Sequence, residues 1–509
     1  MEADALELLD LAVRGGVLAP LRGDVAIGEE VHERVHRAVH REVRREAQRE
    51  RERVLALLRA WGWNSTAFQI TERGFRHFFH GDACVSYIDT GRAWVVAGAP
   101  VCAPERIRDV TERMMEAARR EGRRVVFFAV ERRFLDIVGM PAKLIGLQAT
   151  WDPRTWDETL RSHRSLREQL RRARAKGVRV RHLTAEDVGS GLPARLSIEA
   201  LIERWHLAHE MPRMGFLVDV QPFELPHERR YFVAEAHGRC VGFLCAVPIH
   251  AREGWLFEDF LRDPEAPSGT IELLVDLAMR HVAGGGATYV TLGLAPLAGG
   301  VSPWLARARR WGQSLYDFEG VRAFKAKLRP NDWAPIYLAF PEPAKPGLAI
   351  LDTLTAFARG NLLRFGLRGF LRGPAFVVRL LAALLVVWVV SIALAAPTWF
   401  PSAEVRWAWA GVDIAIAIAL VMLARRWRMA LAIGLALVVS LCAVLTIVEA
   451  AAHDLPRVSS RWAAVVVLVG CTGPLLGAIA LWGAIWRRVR ATRLGPRSSA
   501  KRTPFGQLH

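Results

Sequence analysis

With 509 residues the chain exceeds one ordinary domain, and 52% hydrophobic content beside 24% charged residues argues for a soluble part joined to a membrane part rather than one uniform globule. Lys and Arg number 69 against 51 Asp and Glu, a formal charge of +18 that favours polyanionic partners, nucleic acid or anionic lipid. Six cysteines (Cys84, Cys102, Cys240, Cys245, Cys442, Cys471) lack paired metal-ligand spacing and read as reduced packing residues, which leaves no basis for a disulfide framework or a cysteine zinc site.

The opening MEADALELLD is acidic, without the basic-then-apolar order of a secretory signal, so the first part of the chain is expected in the cytoplasm. A charged helix follows, with Val31, Val35, Val39 and Val43 recurring every four residues. It contains HERVH, a formal HExxH match at His32, Glu33 and His36. A helix this polar around its circumference offers neither a third ligand nor a dry surround, so these residues read as a solvated face, with no metal expected.

From Ala67 to Phe340 strands alternate with helices. RAWVVAGAP reads as strand, PERIRDVTERMMEAARREG as an amphipathic helix closed by Gly122, and RRVVFFAV as strand. A second series starts at VRVRHL, passes through a helix around Leu196 to His209, then the strands YFVAEAHG, CVGFLCAVPI and GWLFEDFLR, the helix GTIELLVDLAMRHVAGGG and the strand YVTLGLAP. Two successive mixed α/β units are expected. Between them, Arg161 to Arg181 carries nine Lys or Arg against one Glu, and its helix should end at Gly177. Arg164, Arg167, Arg171 and Arg174 recur at helical spacing and form a stripe suited to successive phosphates; a merely solvated face is the competing reading.

In WLFEDFLRDPEAPSGTIELLVDLAMRH a strand, a Pro-rich loop and a helix beginning near Gly269 follow the order in which an N-acetyltransferase-like fold places its substrate-cradling loop. Strand alternation puts Glu258 and Phe260 on one face, Asp259 and Leu261 on the other. Asp259 and Arg262 converge if the strand ends or bends at Arg262, and a carboxylate beside a guanidinium can orient an ammonium group or hold a hydroxyl for proton transfer. A structural ion pair is the alternative.

Farther on, GLAILDTLTAFARGNLLRFGLRGFLRG interleaves apolar residues with Arg359, Arg364, Arg368 and Arg372 and reads as a basic segment on anionic headgroups. Four apolar stretches follow, Leu380 to Ala396, Ala408 to Ala424, Met429 to Val448 and Trp462 to Trp486, each near the ~20 residues that cross a bilayer. Arg425, Arg426 and Arg428, and then Arg487, Arg488, Arg490 and Arg493, mark two connections as cytoplasmic, while those containing Pro397, Pro401, Glu404 and Asp454 face outward. The expected placement is multi-pass in the cytoplasmic membrane with both termini inside. Asp413, the one acid well inside a span, lies near its outer end and reads as water-reachable.

Trp255 to Leu338 closely resembles the catalytic domain of the phosphatidylglycerol lysyltransferase family, the multiple peptide resistance factors, which includes lysyl- and alanyl-phosphatidylglycerol synthases. The resemblance rests on DFLRDPEAPSGTIELL, TLGLAPLAG, LYDFEGVRAFKAKLRP and the closing W-x-P-x-YL, and extends more weakly upstream through HRSLREQLRRARAKGVRV to FQITERGFRHFFHGDACVSYIDTGRAWVVAGAPV. It implies an α/β (α+β) fold of tandem N-acetyltransferase-like (dual GNAT) units sharing one tunnel, open to lipid on one side and to the tRNA acceptor end on the other, here followed by an all-α four-helix transmembrane region. The implied domains are a charged helical segment over 1–66, the two units over 67–177 and 178–342, a membrane-surface linker over 343–374, the transmembrane helices over 375–490 and a basic tail over 491–509. Asp259, Arg262 and Lys325 fall on the family's catalytic set. Glu258, Ser268, Gly269, Glu272, Tyr316, Glu319 and Lys327 fall at substrate-contact positions.

The implied reaction moves an aminoacyl group from aminoacyl-tRNA to a hydroxyl of an anionic membrane phospholipid, phosphatidylglycerol foremost, without cofactor. Well-known members place a long multi-span region ahead of this domain, whereas here the spans lie behind it. Two alternatives remain open on the residues alone: a coenzyme A-dependent N-acyltransferase, disfavoured by the lack of Gly-x-Gly in RDPEAPSGT, and a non-enzymatic tRNA- or lipid-binding adaptor.

Overall fold

Alternating β-branched and aromatic runs form the strands of one mixed sheet in the computed structural model, which describes residues 45–208, 214–303, 305, 318–343, 345–365, 374–394, 402–425, 428–454 and 461–493. The strands are β1 (Arg76–Phe79), β2 (Cys84–Asp89), β3 (Ala93–Ala97), β4 (Arg124–Val130), β5 (Ala142–Trp151), β6 (Arg179–Leu183), β7 (Arg230–Ala236), β8 (Arg239–Ile249), β9 (Gly254–Arg262), β10 (Tyr289–Pro296) and β11 (Asp332–Ala339). Their order across the sheet is β1-β2-β3-β4-β11-β5-β10-β9-β8-β7-β6. The two expected α/β units therefore interlock: β11, the last strand of the second unit, inserts between β4 and β5 of the first, and β5 pairs with β10. The HERVH residues lie outside the described residues.

Helices cover the sheet. In the soluble part they are α1 (45–61), α2 (Ile107–Arg120), α3 (Arg132–Val138), α4 (Trp156–Ser162), α5 (Arg164–Ala175), α6 (Pro193–Ala208), α7 (Thr270–Gly284), α8 (Phe318–Lys327) and α9 (Pro346–Phe357). Gly122 and Gly177, each with positive φ, close α2 and the basic helix α5 where the sequence places the stops. One core packs α2 against β2, β3 and β4 through Val110, Met114 and Phe127. A second packs α5 and α7 on the other half through Leu166, Leu170, Ala173, Leu274 and Ala278. Val54 and Leu58 of α1, Phe68 and Ile70, Phe216 and Leu217, and Ala356 of α9 form a third cluster between the halves.

Two parallel pairs differ in a way that positions the site. β3 and β4 pair from Ala93–Arg124 through Ala97–Phe128, the whole length of β3. β9 and β10 pair only at Gly254–Tyr289, Trp255–Val290 and Leu256–Thr291, then diverge while β9 runs on to Arg262 and β10 to Pro296. At the paired end the fit is close enough that a Cβ on Gly254 would sit 2.8 Å from the Tyr289 carbonyl oxygen. The splay opens the sheet between the C-terminal ends of these two strands.

The C-terminal part folds as α10 (Pro374–Leu394), α11 (Ala403–Arg425), α12 (Met429–Glu449) and α13 (Arg461–Arg493), packed through Val378, Leu420, Leu435, Val439 and Leu481. Among the described residues two helices, spanning Ala403–Leu423 and Met429–Ala452, are long and apolar enough to cross a membrane; Leu380–Val390 and Gly470–Trp486 are shorter apolar runs, so four full spans are not established. Asp413 sits buried within α11.

The expected boundary at 342–343 needs revision. α9 belongs to the soluble unit: Asp352 on its inner face receives a bidentate pair from Arg124 at 2.8 and 2.6 Å, and Phe357 meets the Phe128 and Phe216 rings. Ending the chain before α9 would leave Arg124 without this partner and uncover the Phe128 and Phe216 rings. A chain ending after residue 365 is expected to melt cooperatively as a soluble protein, and one ending after Pro343 to melt at clearly lower temperature or aggregate. Matching melts for the two would refute the revised boundary.

Candidate active site

The site forms where β9 breaks its alternation. Cys245 of β8 faces Asp259 and Ala246 faces Phe257, so Glu258 is an extra residue in β9, a bulge. Strict alternation would send Glu258 and Asp259 to opposite faces; the bulge instead gathers Cys245 Sγ and one oxygen from each carboxylate within 4.8 Å of one another. That grouping has the donors of a cation site, and the cation beside it is Arg229, contributed from just before β7. Its Nη1 donates to Glu258 Oε2 at 2.7 Å and lies 3.6 Å from Cys245 Sγ, and its Nε donates to the Glu224 carbonyl at 2.8 Å. Nη2 faces Glu72 Oε1 at 3.7 Å. Gln69 Nε2 donates to Glu258 Oε1 at 2.8 Å and to the Leu217 carbonyl at 2.9 Å.

These groups are dry: the side chains of Arg229 and Glu72 are 1% and 2% exposed. Burial pushes the Asp259 carboxyl well above the usual carboxylate range, reinforced by Glu258 and Asp219 and opposed by Arg229. Glu72 is raised for the same reasons, burial first and then Glu258. Burial works against the Arg229 charge, but Glu258, Cys245 and Glu72 outweigh it and hold the guanidinium protonated. The Cys245 thiol is pushed up by burial and is no ready nucleophile. Among the described residues Asp259 Oδ2 and both Glu72 oxygens have no hydrogen-bond partner.

Arg262 does not pair with Asp259. It lies exposed at the end of β9, where Nη2 donates to the Ala266 carbonyl at 2.6 Å and braces the following loop. Asp263, unremarked in the sequence, locks that loop: its side chain, 1% exposed, accepts from Arg204 Nε at 2.7 Å and from Arg239, and also from the Glu265 N–H. Gly269, at φ +91°, turns the loop into α7, and a Cβ there would press to 2.6 Å from the Gln169 carbonyl oxygen of α5. Ser268 is exposed. Glu272, in the first turn of α7, is buried and ion-paired with Lys327, which places a carboxylate beside the helix N-terminus where a pyrophosphate would have to sit. This argues against coenzyme A there.

Across the splay, Lys325 of α8 is buried, and its Nζ donates to the carbonyls of Leu292, Gly293 and Leu294 at 2.7, 2.8 and 2.8 Å. Burial pulls its pKa down to about 7. Three acceptors match the three N–H bonds of an ammonium, which a neutral amine cannot supply. Phe324 meets Phe260 of β9 at 6.2 Å between ring centroids. Glu319 is exposed, and Tyr316 lies outside the described residues.

The basic helix shows the expected division. Leu166, Leu170 and Ala173 are buried while Arg164, Arg167, Arg171 and Arg174 are exposed. Arg171 is paired with Glu168, Arg174 reaches Asp276 at 3.0 Å, and Arg167 donates to the Leu160 carbonyl at 2.6 Å. Arg167 and Arg174, with Arg161 and Arg280, border an open groove of about 550 Å³.

Comparison with known proteins gives a consistent picture. The family described as "Phosphatidylglycerol lysyltransferase, C-terminal" matches residues 34–340. A phosphatidylglycerol lysyltransferase of Bacillus subtilis is 25% identical over 57% of this chain and 35% of its own length. The lysylphosphatidylglycerol biosynthesis bifunctional protein LysX of Nocardia farcinica is 27% identical over 45% of this chain and 21% of its own. The chain thus spans about a third or less of these curated relatives. The C-terminal domain of a putative lysylphosphatidylglycerol synthetase from Agrobacterium fabrum superposes with TM-score 0.55 at 22% identity, covering 62% of this chain and 99% of that one. L-PGS from Bacillus licheniformis gives 0.52 at 20%, covering 60% and 96%. These two establish likeness of fold.

The raised Asp259 carboxyl has a thermodynamic signature. A group whose folded pKa exceeds its unfolded value contributes stability at low pH that is lost as pH rises through the folded pKa. Asp259→Asn removes that loss, so its Tm should exceed the parent's at pH 8, with the difference shrinking as pH falls into the ordinary carboxylate range. A difference that is constant with pH would show that Asp259 is not strained by burial.

Proposed function

This chain belongs to the phosphatidylglycerol lysyltransferase C-terminal family, and on that premise we propose that it transfers an aminoacyl group from aminoacyl-tRNA to a hydroxyl of a membrane phospholipid, phosphatidylglycerol foremost. The observation that carries this reading is the buried, unpartnered Asp259 oxygen beside the Arg229–Glu258 pair, next to the β9–β10 splay.

The lipid hydroxyl oxygen attacks the carbonyl carbon of the aminoacyl ester, the bond to the ribose oxygen breaks, and the hydroxyl proton ends on that ribose oxygen. One ester replaces another, so positioning carries most of the catalysis. Asp259 holds the lipid hydroxyl, takes its proton and returns it to the leaving oxygen; a raised carboxyl pKa suits that exchange near neutral pH. Arg229 holds Glu258 in a hydrogen-bonded ion pair, which leaves Asp259 as the neighbouring carboxyl free to exchange a proton. Arg262, at the exposed strand end, offers its remaining N–H groups to a substrate phosphate. Lys325 holds the bulged edge of β10 and lends positive potential to the developing oxyanion. Ser268 and Gly269 present loop backbone to the substrate, and Glu258, Glu272, Glu319 and Lys327 surround it. Arg164, Arg167, Arg171 and Arg174 receive the tRNA backbone.

We read α10 to α13 as a bundle in the cytoplasmic membrane, with Arg425, Arg428 and the basic end of α13 on the cytoplasmic side, where the catalytic unit also lies. Its role is anchoring, since Asp413 is the single acid deep within it.

Expression in a host without aminoacylated lipids, followed by lipid extraction and mass spectrometry, should yield an aminoacyl-phospholipid. Asp259→Asn and Arg262→Ala should each lower its yield by about 100-fold or more while the protein remains folded; full activity in either removes that residue from the site. Binding to tRNA should weaken steeply between about 50 and 200 mM salt, and replacing the four arginines of α5 by Ala should flatten the dependence. Salt-independent binding would rule out the phosphate role of the helix.

A further inference from the structure

We propose that the outward face of α9, with Val218 beside it, is a docking surface for the lipid bilayer that seats the soluble unit with its carboxylate site next to the cytoplasmic leaflet. The inference rests on the reading above for the membrane placement of α10 and for the identity of the acceptor lipid.

α9 is two-faced. Ala349, Asp352, Thr353 and Ala356 are buried against the sheet, whereas Leu348, Leu351 and Leu354, spaced three apart on the opposite face, are 41%, 44% and 50% exposed. Val218, in the short turn that contacts α9, and Leu363, beyond the end of the helix, are further exposed apolar side chains, at 46% and 85%. The patch does not depend on the arginine collar expected from sequence: Arg359 is committed to Asp219 at 2.8 Å, and Arg368 and Arg372 lie outside the described residues. Arg364 is exposed near the patch and suits an anionic headgroup.

Position in the chain selects lipid over a soluble partner. From Leu363 to the start of the apolar helix α10 at Pro374, the connection spans at most about 40 Å. A membrane-embedded α10 therefore keeps the leucine face within reach of the interface, where an amphipathic helix gains most by burying it. The same surface adjoins the site. The Gly215 N–H donates to the Phe357 carbonyl of α9 at 2.9 Å; two residues on, the Leu217 carbonyl accepts from Gln69 Nε2, which also donates to Glu258. One short segment joins docking face and carboxylates, so a headgroup rising beside Val218 arrives at the reacting end.

The test uses the full chain, with Cys471→Ser, in nanodiscs of phosphatidylglycerol and phosphatidylcholine; the other five cysteines are buried. A nitroxide at Leu351→Cys should be relaxed by oxygen far more than by a water-soluble nickel chelate, unlike a nitroxide at exposed Arg179→Cys on β6. Equal behaviour at the two positions overturns the proposal, and so does exclusion of both reagents at Leu351, which would mark a protein partner or a second copy. As an activity arm, Leu351→Glu with Leu354→Glu should lower modification of bilayer lipid roughly tenfold and spare short-chain phosphatidylglycerol in detergent. Equal loss on both substrates, or loss on neither, refutes docking. A lipid-exposed nitroxide in a chain that forms no aminoacyl-phospholipid would leave docking standing and remove the transferase reading.

Discussion

Arg229 is the charge around which the candidate site is arranged. Burying a guanidinium costs several kcal/mol unless it is hydrogen-bonded and paired, and here the partners come from separated parts of the chain: the Glu224 carbonyl in the preceding loop and Glu258 on β9 accept its hydrogen bonds, and Glu72, beyond the short helix at Phe68–Thr71, adds negative charge at 3.7 Å. Gln69 ties Glu258 to the Leu217 backbone. The first unit, the second unit and the segment beneath α9 thus converge on one cation. Because Arg229 directly satisfies only Glu258, Asp259 is left with a raised pKa and a free oxygen, which is the property the proposed chemistry uses.

The remaining architecture keeps that oxygen accessible. Early divergence of β9 from β10 opens the sheet beside the bulge, Lys325 occupies the carbonyls that the divergence leaves unpaired on β10, and Asp263 pins the loop that follows. On the proposed reading, phosphate-facing charge is kept elsewhere, on the exposed side of α5, so that polyanion and reacting carboxyl would fall to different faces of the same unit.

Much of this was legible in the sequence. Strand and helix order over Ala93–Val130 and from the basic helix α5 to Pro296 followed from alternation, capping glycines and amphipathic spacing, whereas β5 and the short helices flanking it carried no such pattern and were not read; Asp259 stood out as a carboxylate at a strand end. The pairing of Asp259 with Arg262 did not hold, because alternation is blind to a bulge: one extra residue against β8 turned Glu258 toward Asp259, and local spacing then named the wrong arginine. Arg229 and Glu72 are distant in sequence and sit in FELPHERR and FQITERG, which carry no local motif; only the sheet topology brings them together. Charge, likewise, hid α9: the arginines that follow it made the whole stretch read as a linker, whereas its buried face and Asp352 tie the helix to the sheet.

The insertion of β11 between β4 and β5 has a consequence for the order in which the protein can be made. β4 and β5 are adjacent in sequence, yet they cannot join into the final sheet until Asp332–Ala339 has emerged from the ribosome. Everything translated between, including the whole of the second unit, must wait with an open edge on the first. The strand that closes the sheet is followed almost at once by α9 and the apolar helices. Closure of the sheet and emergence of the apolar helices therefore fall in the same interval of synthesis, and a pause there would leave unpaired strand edges and exposed apolar helices together, the combination most prone to misassembly.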